Sequence, residues 1–111
     1  MIHPNHGDIV FVPFPFTNLS TISKPRPALV ISNCFYKGND FICFGITSNL
    51  NHLESIPFEN SDLVHGKIAV TSAIMYQKIY TLHKSLITRR IAVIKADILD
   101  KAIEEFIKTV K

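Results

Sequence analysis

The sequence contains no tryptophan, only two cysteines and no long apolar run. Without Trp, every aromatic anchor must be Phe or Tyr, and the eight Phe can fill a small core. The longest apolar stretch, residues 9–16, contains Pro13 and Pro15 and is far too short to span a membrane. The first residues also lack the basic-then-apolar layout of a signal peptide. We therefore expect a cytoplasmic protein with no membrane association.

The two cysteines, Cys34 and Cys43, match no zinc-binding spacing, and the sequence therefore predicts no metal site. Reduced, partly buried thiols are the expected state in the cytosol. A disulfide between them stays open, because it depends on a distance that the sequence does not give.

The chain has no internal repeat, no low-complexity tract and no linker long enough to divide it. Its 111 residues predict a single domain over residues 1–111. The net charge of +3 is compatible with an anionic partner. An ordinary solvated surface is the better explanation of so mild an excess, so charge alone does not establish nucleic-acid binding.

Short β-like segments follow one another through the first 94 residues, with polar turns between them. This spacing predicts a small barrel or a highly curved sheet. Residues 60–66 have the composition of a turn, and residues 17–25 and 49–54 that of exposed loops. The predicted strands are residues 9–14, 28–32, 41–47, 67–73, 77–83 and 87–94, with weaker alternation at residues 55–59.

The periodicity changes near the end of the chain. From Ile98 to Val110, apolar residues recur at steps of three and four, which predicts a helix over about residues 96–109 with one apolar face. Asp97 lies early and Lys108 late in this segment, as the helix dipole favours. We expect the helix to pack on the sheet as part of the core.

Several segments, in this order along the chain, resemble those of the MazF/PemK toxins. They are residues 7–17 (GDIVFVPFPFT), 24–32 (KPRPALVIS), 46–48 (ITS), 77–82 (QKIYTL) and 84–86 (KSL), followed by the amphipathic helix. Gly-Asp and Arg-Pro are common dipeptides. The resemblance therefore rests on the order, spacing and context of the segments over nearly the whole chain.

The resemblance implies an α+β, mainly β fold, a small SH3-like barrel of the PemK/CcdB type with a C-terminal helix. It also implies the toxin of a type II toxin–antitoxin system, a sequence-selective endoribonuclease that cleaves single-stranded RNA and mRNA and inhibits translation and growth. No metal or other cofactor is expected. The implied partners are a second copy of the chain in a homodimer and a cognate antitoxin, with operator DNA contacted only through the antitoxin complex.

The resemblance carries the catalytic arginine and threonine of the family onto Arg26 and Thr47. A guanidinium remains charged and contacts two phosphate oxygens at once, which suits a charged phosphoryl transition state. Pro25 and Pro27 restrict the backbone on either side of Arg26. A hydroxyl at Thr47 can donate a hydrogen bond to the same phosphate. Without the resemblance, a surface salt bridge for Arg26 and a local backbone contact for Thr47 would be the simpler interpretations.

Further residues are predicted to contact the RNA by hydrogen bonds or charge. They are Thr17, Lys24, Ser48, Lys67 and Gln77.

The sequence departs from its relatives at two places that concern the general base. Some relatives have an acidic residue in the loop before the arginine, but residues 17–25 contain none. Many have an Asp where this chain has Gln77. His52 and His65 are candidates by chemistry alone, because histidine titrates near neutral pH, and the identity of the base stays open.

Two other functions remain as alternatives. A CcdB-like toxin of the same fold would bind DNA gyrase without enzymatic activity, and a toxin–antitoxin complex would bind its own operator DNA. The matches at Arg26 and Thr47 favour the nuclease. The sequence contains no helix-turn-helix pattern for direct DNA binding.

Overall fold

The computed structural model describes residues 2–13, 24–33 and 38–111. Within these ranges seven antiparallel strands form one curled, half-barrel sheet in the order β4-β6-β3-β2-β1-β7-β5. A single α-helix follows the last strand, so the mainly β fold with a C-terminal helix is confirmed. The elements are β1 (Asp8–Pro13), β2 (Pro25–Val30), β3 (Asp40–Thr47), β4 (Ser55–Phe58), β5 (Leu63–Gly66), β6 (Ser72–His83), β7 (Arg89–Ile94) and α1 (Ala96–Val110).

Strand β1 lies inside the sheet, between β2 and β7, and is buried on both faces. Ile9 belongs to the larger apolar cluster, which lies between the sheet and α1, whereas Val10 and Val12 belong to a smaller cluster on the other face. Successive side chains of a strand point to opposite faces. This explains why β1 is continuously apolar from Ile9 onward instead of alternating.

Helix α1 covers the larger cluster with its apolar face. Leu99 and Ala102 are buried, and the ring of Phe106 packs on Phe44 of β3 with the centroids 5.6 Å apart. Asp97 lies in the first turn and Lys108 in the last turn. The predicted helix is therefore confirmed, with its end one residue later than expected. None of the described helices is long and apolar enough to cross a membrane.

The largest departures from the predicted elements lie between residues 60 and 83. The predicted turn at residues 60–66 is a 3₁₀ turn (Asn60–Asp62) followed by β5. The predicted strand at residues 67–73 is wrong, because regular structure resumes only at Ser72. From there one strand of 12 residues runs to His83, where the sequence predicted two. Its register against β3 shifts after Phe44, and this irregularity interrupts the apolar alternation that would have revealed a single strand.

Strand β2 begins at Pro25, three residues before the predicted start. Pro25 and Pro27 pair with β1, but β3 pairs with β2 only from Ala28 onward. The free side of this segment thus needs no backbone donor, which is why two prolines are compatible with a strand here.

Gly7 lies in the turn that leads into β1, and Asp8 is the first residue of the strand. Gly7 has a φ of +91°, a backbone conformation that favours glycine, and its N–H donates to the carbonyl oxygen of Val30. The carboxylate of Asp8 is buried and accepts hydrogen bonds from the backbone N–H of Asn5 and from Nε of Arg90, each at 2.9 Å. These two residues therefore shape the start of the strand.

Candidate functional site

An open groove of about 810 Å³ crosses one end of the sheet. Side chains from β1, β2, β3, β4, β6 and β7 reach it, and the segment that joins β5 to β6 forms one wall. Most of the lining is apolar, with cations and hydroxyls among it. The lining residues are Ile9, Phe11, Arg26, Pro27, Ile46, Thr47, Ser48, Phe58, Gly66, Lys67, Ile68, Ala69, Val70, Ser72, Arg89 and Ile91.

Arg26 lies in the proline-flanked segment of β2, opposite Val12 of β1. Its side chain is exposed and lines the groove. Its guanidinium makes no ion pair or hydrogen bond with any other residue that the structure describes. A charged, unneutralised guanidinium on a restricted backbone is suited to contact an anion in the groove.

Thr47 is the last residue of β3, and Ser48 follows it into the next loop. Both line the groove, Thr47 half-buried and Ser48 exposed. The backbone N–H of Asn49 donates to Oγ1 of Thr47 at 3.1 Å. The local backbone contact considered for Thr47 is therefore present, and it occupies an acceptor position of the hydroxyl without using its proton.

The wall of the groove, residues 66–70, is fixed by side chains that the sequence did not single out. The side-chain amide of Asn60 makes two hydrogen bonds with the backbone of Ile68. Oδ1 accepts from the Ile68 N–H at 2.8 Å, and Nδ2 donates to the Ile68 carbonyl oxygen at 3.3 Å. Oγ of Ser72 donates to the carbonyl of Val70 at 3.0 Å. These contacts hold the backbone of the wall, from which the exposed side chain of Lys67 reaches the groove.

Arg89 is a groove residue that sequence reasoning missed. Its guanidinium carbon lies 5.6 Å from the ring centroid of Phe11, a cation–π contact between paired residues of β7 and β1. Its neighbour Arg90 points away and pairs with Asp8. The only signal in the sequence was a cluster of cations late in the chain. The strand pairing that separates Arg89 from Arg90 is a long-range property.

The charged groups of the groove all have the same sign. Arg26, Lys67 and Arg89 are cationic, and no carboxylate or imidazole is present among the described lining residues. His52 and His65, the candidate bases, do not line the groove. No group of His, Cys, Asp and Glu that could hold a metal ion occurs within residues 2–13, 24–33 and 38–111. The arrangement can bind an anion and donate hydrogen bonds to it.

The predicted RNA-contacting residues fall into three groups. Ser48 and Lys67 line the groove together with Arg26 and Thr47. Lys24 is exposed just before β2 but does not line the groove, and Gln77 is exposed at the irregular part of β6, also outside it. Thr17 lies outside the described residues. For all of these residues, contact with RNA stays a prediction.

The loop that follows Thr47 is attached to the sheet at its far end. The hydroxyl of Tyr76 in β6 donates to Oε2 of Glu54 at 2.7 Å. This hydrogen bond, with burial and the negative charges of Glu54 and Glu105, raises the pKa of Tyr76 to about 12. Glu54 has a φ of +57°, which is uncommon for a residue other than glycine. The contact with Tyr76 stabilises that conformation.

Comparison with known structures gives matches over almost the whole chain. A structure described as an endoribonuclease from Mycobacterial species has a TM-score of 0.75 at 15% identity, covering 99% of this chain and 93% of that one. MazF from Deinococcus radiodurans has a TM-score of 0.73 at 19% identity, covering 99% and 98%. The MazE–MazF structure from the same organism has a TM-score of 0.75 at 18% identity, covering 99% and 97%. At these identities the likeness establishes the fold.

A comparison with curated proteins gave no match. The family comparison did, since residues 5–110 match the model of the PemK-like, MazF-like toxins of type II toxin–antitoxin systems. The match includes the start of β1, the Arg26 segment, the end of β3 and nearly all of α1. This chain therefore belongs to the PemK-like, MazF-like family of type II toxins.

Proposed function

We propose that this protein is an endoribonuclease that cleaves single-stranded RNA in the groove beside Arg26 and Thr47, and that this cleavage inhibits translation and growth. The observation that supports it most is the meeting of these two side chains, from different strands, in one groove with no opposing negative charge among its described lining residues. Ser48, Lys67 and Arg89 add two cations and a hydroxyl to the same groove. Membership of the toxin family supports the same activity.

The proposed reaction is an internal transfer. The 2′-hydroxyl oxygen attacks the neighbouring phosphorus and loses its proton, while the bond to the 5′-oxygen breaks and that oxygen gains a proton. The products are a 2′,3′-cyclic phosphate and a 5′-hydroxyl. Negative charge grows on the phosphoryl oxygens during this step, and donors already in place stabilise it.

Arg26 and Thr47 supply that stabilisation in the proposal. The guanidinium of Arg26 contacts two phosphoryl oxygens, and the Thr47 hydroxyl donates a hydrogen bond. Arg26 is a poor proton donor, because a guanidinium is not deprotonated in proteins. We therefore give it a role in charge stabilisation and assign the proton transfers to no residue.

The apolar part of the groove fits unpaired bases better than a duplex, because a duplex hides its base faces. Proteins that bind single-stranded RNA combine cations along the backbone with apolar or aromatic surfaces under the bases. Phe11, with the guanidinium of Arg89 over its ring, contributes to such a surface in the groove. This supports single-stranded RNA as the substrate class.

The proposal includes two protein partners. A disordered antitoxin segment with acidic and apolar residues would match the cations and apolar lining of the groove, and so block the substrate. A solved relative from Mycobacterial species is described as an endoribonuclease in complex with its cognate antitoxin. We also propose a homodimer, since two-fold pairing is the commonest arrangement of identical chains.

Primer extension on a long RNA, incubated with purified protein and EDTA, tests the proposed activity. The wild-type protein should cut at a short recurring sequence, and Arg26→Ala and Thr47→Ala should cut the same sites far more slowly. Lys101→Ala is the control for Arg26→Ala, because it also removes one exposed cation but lies on α1, outside the groove. Intact RNA combined with growth arrest and DNA damage would overturn the proposal in favour of a gyrase-binding toxin.

A further inference from the structure

We infer that Asn49 is a positioning residue that orients the Thr47 hydroxyl for the reaction, an inference that rests on the proposed RNA cleavage. Asn49 does not line the groove. It lies two residues after Thr47, in the loop between β3 and β4. Its role would therefore be exerted through Thr47 and not through contact with the RNA.

Three hydrogen bonds meet at Asn49. Its backbone N–H donates to Oγ1 of Thr47 at 3.1 Å. Its side-chain Oδ1 accepts from the N–H of Asn51 at 3.0 Å, and its carbonyl oxygen accepts from the N–H of His52 at 3.2 Å. The hydrogen bond between Oδ1 of Asn49 and the N–H of Asn51 closes an Asx turn, in which an Asn side chain accepts from the backbone two residues later. It restrains the turn in which the Asn49 N–H points at Oγ1 of Thr47.

That direction determines how the Thr47 hydroxyl can act. A hydroxyl has one proton to donate and two lone pairs to accept with. With the Asn49 N–H at the oxygen, one acceptor position is filled, and the proton has no acceptor among the described residues. The proton is thus available to the groove. A phosphoryl oxygen gaining negative charge needs a donor, so this orientation favours the transition state.

The far end of the loop is held by contacts that do not involve the Asn49 side chain. The hydroxyl of Ser55 donates to the carbonyl of His52 at 2.7 Å, and Tyr76 holds Glu54 at the far end. Removing the Asn49 side chain should therefore leave the far end of the loop in place. The effect should be confined to the turn beside Thr47.

The first test compares single-turnover and steady-state kinetics of Asn49→Ala with those of Asn51→Ala. Asn49→Ala should lower kcat roughly tenfold, because small displacements of a catalytic group are costly. KM should change less than about threefold, since the side chain is outside the groove. Asn51→Ala removes the same kind of side chain from the same loop. Only the backbone N–H of Asn51 bonds to Asn49, and its side-chain amide makes no hydrogen bond with the described residues, so wild-type kinetics are expected.

Asn49→Asp is the rescue variant. A carboxylate oxygen can accept from the Asn51 N–H just as Oδ1 does, so kcat should return to within about threefold of wild type. KM should rise, because the added negative charge repels RNA. A role in stability alone would not produce this split between kcat and KM. Thermal unfolding of each variant should be close to wild type, because Asn49 is exposed.

A double variant decides whether Asn49 acts through Thr47. If it does, the double variant Thr47→Ala/Asn49→Ala should cleave RNA at the same rate as the single variant Thr47→Ala. If the two rate losses multiply, Asn49 acts independently of Thr47 and the inference is overturned. Wild-type kinetics in Asn49→Ala would also overturn it while leaving the proposed function intact. A wild-type protein that cleaves no RNA would instead overturn the proposed function, and this inference with it.

Discussion

Two arginines in the groove have the same charge but different surroundings. Arg26 has no ion pair or hydrogen bond with the described residues, whereas Arg89 lies against the ring of Phe11. The ring restricts the guanidinium of Arg89 while leaving its charge in place. Arg26 is therefore suited to follow a phosphate through the reaction, and Arg89 to bind one at a fixed position beside it.

Cys43 should be chemically inert in the folded protein. It is a free, fully buried thiol in β3, and burial raises its pKa to about 12. At pH 8 the thiol would therefore be almost entirely in its unreactive, protonated form. In a Cys34→Ser background, which leaves one thiol, a colorimetric thiol reagent should react only after denaturant is added. Prompt reaction of the native protein would contradict this account of its burial.

At the level of elements, the wall of the groove depends on close contact between β5 and β7. Gly66 ends β5 with a φ of +77°, and a Cβ there would lie 2.2 Å from the carbonyl oxygen of Ile91. No side chain fits that space without moving backbone. The wall that presents Lys67 begins at this contact.

Gly66→Ala should destabilise the fold by more than about 3 kcal/mol, because it adds a backbone clash to the cost of a positive φ. Gly38→Ala is the matched control. Gly38 has a φ of +111°, but no atom of the described residues lies within 4 Å of its Cβ position, so Gly38→Ala should cost only about 1–2 kcal/mol. Chemical denaturation measures both variants. Equal losses would show that the contact between β5 and β7 is looser than described.

The sequence predicted correctly the elements that depend on the pattern of neighbouring residues. The apolar run of β1 and the three- and four-residue steps of α1 were sufficient to place both. Within residues 60–83 the sequence did not predict the strand boundaries correctly, because β5 is short and β6 changes its register against β3 beside Phe44.

In the candidate site, too, the sequence predicted some residues, and it missed those whose roles depend on long-range contacts. The resemblance to relatives pointed to Arg26 and Thr47, which do meet in one groove. Arg89 and Asn60 were missed, because their roles depend on the pairing of Arg89 with Phe11 and on a contact across eight residues. Such contacts appear only when the chain is folded.

On the scale of the whole molecule, the modest net charge of +3 matters less than its distribution. Arg26, Lys67 and Arg89 face one groove with no carboxylate among its described lining residues. A phosphate in the groove would therefore lie in a positive electrostatic potential that is stronger than the net charge of the chain suggests.

The affinity for single-stranded RNA should fall as the salt concentration rises, because Arg26, Lys67 and Arg89 would each displace counterions from the RNA. A plot of log K against log salt should have a slope of about −2, from roughly 0.7 per phosphate contact. Arg89→Ala should make the slope shallower by about 0.7, whereas Lys101→Ala should not change it. Fluorescence anisotropy with a labelled RNA measures all three. A slope near zero would mean that the groove does not bind the RNA backbone.

The most direct test of the central claim is the single-turnover rate of RNA cleavage by Arg26→Ala beside wild type and Lys101→Ala, with EDTA present. Removal of one preorganised donor to a developing anion typically lowers a rate by about a hundredfold to a thousandfold. We expect a loss of at least that size for Arg26→Ala, an unchanged rate for Lys101→Ala, and a 2′,3′-cyclic phosphate on the wild-type product. Cleavage by Arg26→Ala at the wild-type rate would contradict the account.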